Sequence, residues 1–92
     1  MTYTVYVLIS ETSGRRYIGQ TEDLDRRLAQ HNRPGHNPRK FTSRNAGPWR
    51  LLHQEIVSTR AEAMIRERWL KSGVGREWLD AQLDRASPPQ AD

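Results

Sequence analysis

The run of residues 3–9 constrains the fold more than any other part of this 92-residue chain, since it is almost wholly β-branched, aromatic or aliphatic. A strand with so little polar alternation is typical of the centre of a sheet that is covered on both faces. Turn residues at 10–14 and a second strand-like segment at 15–20 complete a predicted β-hairpin. Because side chains alternate between faces along a strand, Tyr6 and Tyr17 are expected on the same face of this hairpin.

The segment after the hairpin predicts a helix that turns charged groups toward the sheet. Thr21 is a suitable N-cap, and two acidic residues follow it in the first turn. The helix is expected to end near Asn32, ahead of a Pro-Gly pair. Its sheet-facing stripe, by the i, i+3, i+4, i+7 spacing, consists of Leu24, Arg27, Leu28 and His31. Charged groups on a core-facing stripe cost free energy unless they are paired, which makes Arg27 and His31 candidate functional residues. An arginine that snorkels at the edge of the stripe is the structural alternative.

The second half of the chain predicts a third strand and two more helices. Residues 49–57 have strand-like composition. One face of this strand is expected to carry Trp49, Leu51 and Val57, and the other Leu52 and Ile56. Ser58 or Thr59 caps a helix that reaches about Lys71, and a last amphipathic helix is expected over residues 76–85.

The longer of these two helices places a carboxylate near its core-facing side. The expected apolar stripe consists of Ala61, Met64, Ile65 and Trp69. Glu67 falls on the border of that stripe, where a side chain can either reach a cleft or face water. Together the elements predict an α+β fold, with a small three-stranded antiparallel sheet flanked by about three helices in the order β-β-α-β-α-α. One domain over residues 1–85 and a disordered tail over 86–92 are expected.

Basic charge is concentrated in one part of the chain, whose formal net charge is +4. Residues 26–54 contain no Asp or Glu, and they carry seven of the fifteen Lys and Arg residues and all three His residues. A dense basic segment in an otherwise slightly acidic chain is typical of a protein that binds a phosphate backbone. Arg39, Lys40 and Arg44, in a long loop at 32–48, are the candidate backbone contacts. A solvated basic loop is the alternative.

The composition also indicates the compartment and excludes several kinds of site. The chain has no cysteine, which excludes disulfides, thiolate metal ligands and a cysteine nucleophile. Its N-terminus lacks a signal-peptide pattern, and no apolar run approaches the roughly 20 residues of a membrane span. A soluble, cytoplasmic protein is therefore expected.

The hairpin carries two tripeptides that resemble those of the GIY-YIG nuclease domain, and the likeness covers roughly residues 3–80. Tyr17-Ile18-Gly19 reproduces the second family tripeptide. Thr4-Val5-Tyr6 occupies the position of the first family tripeptide and retains only its tyrosine. The two replacements are β-branched residues, which a strand accepts. Gln20 is a departure, because some repair endonucleases of the family carry a lysine there.

Three further positions agree with the family in order and spacing. Arg27 falls at the position of the family's catalytic arginine. His31, one turn later, falls where members carry a histidine or a tyrosine. Glu67 falls on the family's metal-binding glutamate. The arginine and the late glutamate, each on its own helix, make the resemblance more specific than the tripeptides alone.

The resemblance implies a metal-dependent endonuclease that hydrolyses phosphodiester bonds of DNA. Its implied role is in repair, recombination or restriction, and selectivity for particular DNA structures is compatible with it. It places Arg27 on the phosphate and Glu67 on a single Mg²⁺ or Mn²⁺ ion. It places Tyr6, Tyr17 and His31 around the attacking water. A tyrosine of unperturbed pKa about 10 is a weak base at neutral pH, whereas an imidazole of about 6.5 is better matched. Which of the three removes the proton stays open.

Two other classes of protein are compatible with the sequence. One is a catalytically idle nucleic-acid-binding domain that uses the basic segment 26–54. The other is a small interaction module whose charge is incidental. Metal-dependent cleavage would exclude both, and DNA binding at low salt would exclude the second.

Overall fold

The computed structural model describes residues 1–33 and 48–86, over which the chain forms three strands and three helices. The elements are β1 (Tyr3–Ser10), β2 (Arg16–Thr21), α1 (Leu24–His31), β3 (Trp49–Val57), α2 (Arg60–Lys71) and α3 (Gly73–Ala86). This order confirms the predicted α+β class and the β-β-α-β-α-α arrangement. The candidate backbone contacts Arg39, Lys40 and Arg44 lie outside the described residues, as do residues 87–92 of the predicted tail.

The sheet is antiparallel, and β1 is its central strand in the order β2-β1-β3. Pairing with β2 sets Tyr6 opposite Gly19 and Leu8 opposite Tyr17. Since Tyr6 and Leu8 are two residues apart on one strand, they lie on the same face as Tyr17. The predictions that β1 is central and that the two tyrosines share a face are therefore confirmed.

Both faces of β1 are covered, as its apolar sequence predicts. On one face, Val5 packs with Ala63 and Leu70 of α2. On the other, Tyr6 and Leu8 belong to a cluster against which the leucines of α1 pack. The sheet thus separates the α1 side from the α2 side. The position of a residue along its strand decides on which of the two sides its side chain lies.

A β-bulge interrupts β3 and was not predicted. Val7 of β1 pairs with His53, whereas the next residue, Leu8, pairs with Leu51. Leu52 is therefore an extra residue, opposite which β1 has no partner.

The bulge reverses the alternation of side chains along β3. Trp49 and Leu51 lie in or against the cluster on the α1 side, whereas Val57 packs against Val5 on the α2 side. The prediction that Trp49, Leu51 and Val57 share a face is wrong, because it assumed unbroken period-two alternation. Trp49 is buried in the core.

The helix caps agree with the sequence in one case and differ in the other. The N-cap of α1 is Asp23 rather than Thr21, and an Asp23 side-chain oxygen accepts a hydrogen bond of 3.1 Å from the first-turn backbone. Thr21 is the last residue of β2, and its hydroxyl oxygen accepts a 3.1 Å bond from the backbone nitrogen of Asp23. The predicted cap thus stabilises the turn before the helix. The end of α1 at His31, with Asn32 as C-cap, and the Thr59 cap of α2 agree with the predictions.

The buried face of α2 differs from the predicted apolar stripe. Ala63 and Leu70 are fully buried, and Glu67 lies between them at the i, i+4, i+7 spacing. Met64 and Ile65 are 47% and 71% exposed. The predicted stripe is therefore wrong for these two residues and for Ala61, which is exposed as well, because Ala63 packs with Val5 of the sheet instead. Glu67 consequently lies on the inward face of α2 rather than at its border.

The connection between α2 and α3 is shorter than predicted, since α3 begins at Gly73 rather than Arg76. The hydroxyl oxygen of Ser72 accepts a 3.2 Å hydrogen bond from the backbone nitrogen of Gly75. A Cβ atom at Gly75 would overlap the carbonyl oxygen of Trp69, so only glycine allows the two helices to turn this closely. Residues 73–75, ahead of the predicted start at residue 76, thus form the first turn of α3. None of the helices in the described ranges 1–33 and 48–86 is long and apolar enough to cross a bilayer.

An ion pair ties β3 to the two C-terminal helices. The guanidinium of Arg66 donates to both oxygens of Glu55 at 2.7 and 3.1 Å. Its central carbon lies 4.3 and 4.7 Å from the ring centroids of Trp69 and Trp78. His53 completes the cluster, with its Nε2 atom 2.8 Å from Glu55. Arg66 thus joins the sheet to α2 and α3.

The stability of this cluster should depend on pH. Burial alone would raise the pKa of Glu55, but hydrogen bonds from Arg66 and His53 outweigh it and hold that pKa below its usual value. The stabilisation from the Glu55 carboxylate is therefore fully present above the ordinary pKa of a glutamate. It is lost as the pH falls through the lowered pKa of Glu55 in the folded protein. We expect Glu55→Gln to lower the free energy of unfolding by about 1–2 kcal/mol at pH 7, and by less below about pH 4.

Chemical denaturation between about pH 3 and 7 measures this difference. Glu77→Gln is the matched control, because Glu77 is exposed and forms no ion pair with a described residue. A Glu55→Gln effect that stays constant across the pH range would contradict the assignment.

Candidate active site

The structure brings four of the five predicted catalytic residues to one cleft. Tyr6 of β1, Tyr17 of β2, Arg27 of α1 and Glu67 of α2 all line a cleft of about 390 Å³ at the β2 side of the sheet. These residues come from four different elements, and Glu67 is far from the others in the chain. His31 does not line the cleft but lies directly behind Tyr6.

Tyr6, Tyr17 and His31 form a packed group of rings. The Tyr6 hydroxyl lies 3.0 Å from Nε2 of His31, in a buried hydrogen bond. The Tyr17 ring centroid is 4.8 Å from that of His31 and 6.2 Å from that of Tyr6. Only 6% of His31 is exposed. The Tyr6 hydroxyl therefore stands between the cleft and the imidazole.

The environment of Tyr6 holds its proton on the hydroxyl. Burial, and to a smaller degree the neighbouring Tyr17, raise the pKa of Tyr6 to about 12, against an opposing effect of Arg27. A tyrosine with this pKa is protonated at neutral pH. It can donate to Nε2 of His31 when the imidazole proton is on Nδ1.

Gly19 allows Tyr6 to occupy its position. A Cβ atom at Gly19 would lie 2.7 Å from the Tyr6 hydroxyl oxygen, 2.8 Å from its Cζ atom and 3.0 Å from Cε1 of Tyr17. Tyr6 is 1% exposed and cannot move aside without disturbing the core. The glycine of the Tyr-Ile-Gly tripeptide thus permits contact between its bare backbone and the partner tyrosine.

Arg27 presents an unsatisfied donor inside the site. Its Nη1 atom donates to the side-chain oxygen of Gln30 at 3.2 Å. Its Nε atom is buried and has no hydrogen-bond partner among the described residues. A buried donor left unpaired costs free energy, and a phosphate oxygen is an acceptor that would satisfy it.

Glu67 offers one carboxylate oxygen to the cleft. Its Oε2 atom accepts a 2.8 Å hydrogen bond from Nζ of Lys71, one turn along α2. Oε1 accepts no hydrogen bond from a described residue. The part of the chain that the structure describes has no group of three or more His, Asp or Glu side chains that could together hold a metal ion. A hard carboxylate oxygen at an open cleft still fits Mg²⁺ or Mn²⁺, because Mg²⁺ commonly keeps several waters and binds through one or two carboxylates and substrate phosphate.

Comparison with known proteins identifies the family, since residues 2–78 match the model of the GIY-YIG catalytic domain. This chain belongs to the GIY-YIG family. Two curated relatives are UPF0213 proteins. The one from Haloquadratum walsbyi is 40% identical to this chain over 68 residues, and the one from Halobacterium salinarum is 40% identical over 67 residues. The matches cover 73% of this chain and 73% and 82% of those proteins.

A solved structure shows the same fold. The solution NMR structure of a UPF0213 protein from Bacillus halodurans is 31% identical, with a TM-score of 0.52. The match covers 89% of this chain and 85% of that one. The resemblance read from the sequence is thereby confirmed at the level of family and fold, and the family implies a nucleic-acid substrate.

Three residues of this GIY-YIG cleft were missed in the sequence, namely Tyr3, Glu22 and Arg60. A hydrogen bond to Glu22 raises the pKa of Tyr3, which links the two at the cleft. Arg60 adds a cation at the first turn of α2. Its position seven residues before Glu67 places both on one side of the helix, and this spacing was available in the sequence.

The Gly19 contact yields a test by substitution. We expect Gly19→Ala to lower the free energy of unfolding by about 1–3 kcal/mol, because the added methyl group overpacks a buried tyrosine. In a Tyr6→Phe background the cost should be smaller, since the nearest clashing atom is gone. Gly73→Ala is the matched control, because a Cβ atom there meets nothing within 4 Å. Equal costs in both backgrounds, measured by denaturation, would contradict the proposed contact.

Proposed function

We propose that this GIY-YIG domain is a metal-dependent endonuclease that hydrolyses phosphodiester bonds of DNA. The observation that carries the proposal is the meeting of Tyr6, Tyr17, Arg27 and Glu67 at one cleft. These side chains supply the parts such a reaction needs, which are a cation for the phosphate, a hard ligand for a metal ion and hydroxyls for a water molecule.

Arg27 binds the phosphate. Its planar, permanently charged guanidinium can donate to two non-bridging oxygens, and its buried Nε atom has no hydrogen-bond partner among the described residues. Gln30 holds the other end of the guanidinium through Nη1. The arginine is therefore positioned before substrate arrives, which lowers the ordering cost of binding.

Tyr6 and His31 take up the proton of the attacking water. With its pKa raised to about 12, Tyr6 does not act as a resting phenolate at neutral pH. Its hydroxyl accepts the proton of the water while passing its own proton to Nε2 of His31, 3.0 Å away. The water becomes hydroxide, Tyr6 returns to the neutral form and His31 becomes the imidazolium. Tyr17, at the wall of the cleft, orients the water.

Glu67 would hold the divalent ion through Oε1, which accepts no hydrogen bond from a described residue, or through Oε2 after release of Lys71. A bound Mg²⁺ or Mn²⁺ would supply positive charge for the leaving oxygen and the pentavalent phosphate. The substrate phosphate and water would complete the coordination shell.

Plasmid cleavage tests the proposal directly. Purified protein should nick or linearise supercoiled DNA with Mg²⁺ or Mn²⁺ and not with EDTA. Arg27→Ala should lower the rate about 10²- to 10³-fold, since it removes a donor from the developing charge. Glu67→Gln should abolish the metal-dependent cleavage, since it removes the proposed carboxylate ligand. Arg68→Gln, at an exposed position outside the cleft, is the charge-matched control.

Cleavage that survives both Arg27→Ala and Glu67→Gln would overturn the assigned site. DNA binding without any metal-dependent cleavage would instead favour the catalytically idle domain.

The proton path predicts that Tyr6 and His31 act as one unit. Tyr6→Phe and His31→Gln should each slow single-turnover cleavage by about 10- to 10²-fold. The double variant should be no slower than the slower single variant, because residues that act as a unit are not additive. Tyr3→Phe is the control, since it deletes a hydroxyl from the same cleft that is not bonded to His31. Fully additive losses, with folding verified by circular dichroism, would contradict the relay.

A further inference from the structure

A second cleft lies against the candidate active site. It has a volume of about 730 Å³ and is lined in part by β2 and the first turns of α3. Tyr17 lines both clefts. Lys71 lines the second cleft while its Nζ atom contacts Glu67 of the first. The two clefts therefore share one aromatic wall and are joined by an ion pair.

The second cleft is rich in positive charge. Arg16, Lys71 and Arg76 line it, against a single described carboxylate, that of Asp80. Arg16 is paired with Asp80 at 2.6 Å, and both side chains are partly exposed, at 36% and 57%. Arg76 is exposed and forms no ion pair with any described residue. At least one cation is thus available to an incoming anion.

We propose that this second cleft binds a backbone phosphate of the nucleic acid on one side of the scissile bond, with Arg76 and Arg16 as its contacts. The inference rests on the proposed function, because it takes the first cleft as the place of the scissile phosphate. A concave basic surface beside such a site meets the next stretch of the same strand. The volume is sufficient for a nucleotide-sized ligand.

The lining favours nucleic acid over an acidic protein segment. Beside the three cations, the cleft has the ring of Tyr17 and the side chain of Ile18. A nucleotide presents a phosphate and a flat apolar base or sugar side by side, which matches this combination. Continuity with the first cleft through Tyr17 gives the strand a direct path from one to the other.

These cations lie outside the basic segment at residues 26–54. In the sequence, Arg16, Lys71 and Arg76 belong to parts that are slightly acidic overall, and nothing in their spacing groups them. The fold assembles them from the hairpin and from the α2–α3 junction. The phosphate subsite is therefore a property of the tertiary structure.

Arg76 is the best position for a test, because the other two cations have structural partners. Lys71 contacts Glu67, and Arg16 joins β2 to α3 through Asp80. Arg76→Gln removes one charge without breaking an ion pair between described residues. Asp80→Asn should strengthen nucleic-acid binding, since it removes the described carboxylate from the cleft and releases Arg16. The lost ion pair is at an exposed site, so its loss should cost little stability.

The experiment measures the Kd of a labelled oligonucleotide at several salt concentrations in EDTA, where binding is separated from cleavage. One arm uses single-stranded DNA and one uses duplex DNA. Arg76→Gln should weaken binding several-fold. It should also reduce the slope of log Kd against log salt concentration by about 1, the change expected for the loss of one phosphate contact. Asp80→Asn should tighten binding and steepen the slope. Arg68→Gln is the charge-matched control and should change neither.

If Arg76→Gln and Asp80→Asn move the Kd no more than Arg68→Gln in both arms, the subsite is rejected, and metal-dependent cleavage by the wild type would still support the proposed function. If the two variants shift binding in opposite directions but the wild type never cleaves, the subsite stands and the nuclease assignment fails. Absence of binding by the wild type at low salt rejects both.

Discussion

The rest of the site depends on one contact, in which Tyr6 packs directly against the backbone of Gly19. It lets a fully buried tyrosine on the central strand reach across β2 to the edge of the cleft. From there its hydroxyl reaches His31, and its ring packs near Tyr17. A side chain at position 19 would push the hydroxyl away from both. The hairpin register, which sets these residues opposite each other, therefore positions the chemistry as well as the core.

The sequence was sufficient to predict those parts of the site that follow local periodicity. Two-residue alternation placed Tyr6 and Tyr17 together, and helical spacing placed Arg27 and His31 on the face of α1 that meets them. Glu67 was different. Its apolar neighbours suggested a border position, and only the family resemblance selected it, because the small Ala63 that turns this face inward was not recognised as a contact.

Other features depend on interactions that no local pattern records. The bulge at Leu52 shifts the side chains of β3, and no turn or glycine in the sequence marks it. Arg66 pairs with Glu55 of β3 and stacks on two tryptophans, and no periodic pattern in the sequence links these residues. The second cleft collects cations from distant segments. In each case the deciding partner is remote in the chain, so its effect appears only when the elements pack.

The central proposal is that Glu67 holds a divalent ion at the cleft formed by Tyr6, Tyr17 and Arg27. Paramagnetic broadening by Mn²⁺ in a ¹⁵N-labelled sample measures this most directly. The amide signals of Gly19, Gln20 and Glu67 should broaden at the lowest Mn²⁺ concentrations, and the broadening of other signals should decrease with their distance from the cleft. The effect should vanish in Glu67→Gln. Broadening that persists in this variant, or that centres on another part of the described chain, would contradict the claim.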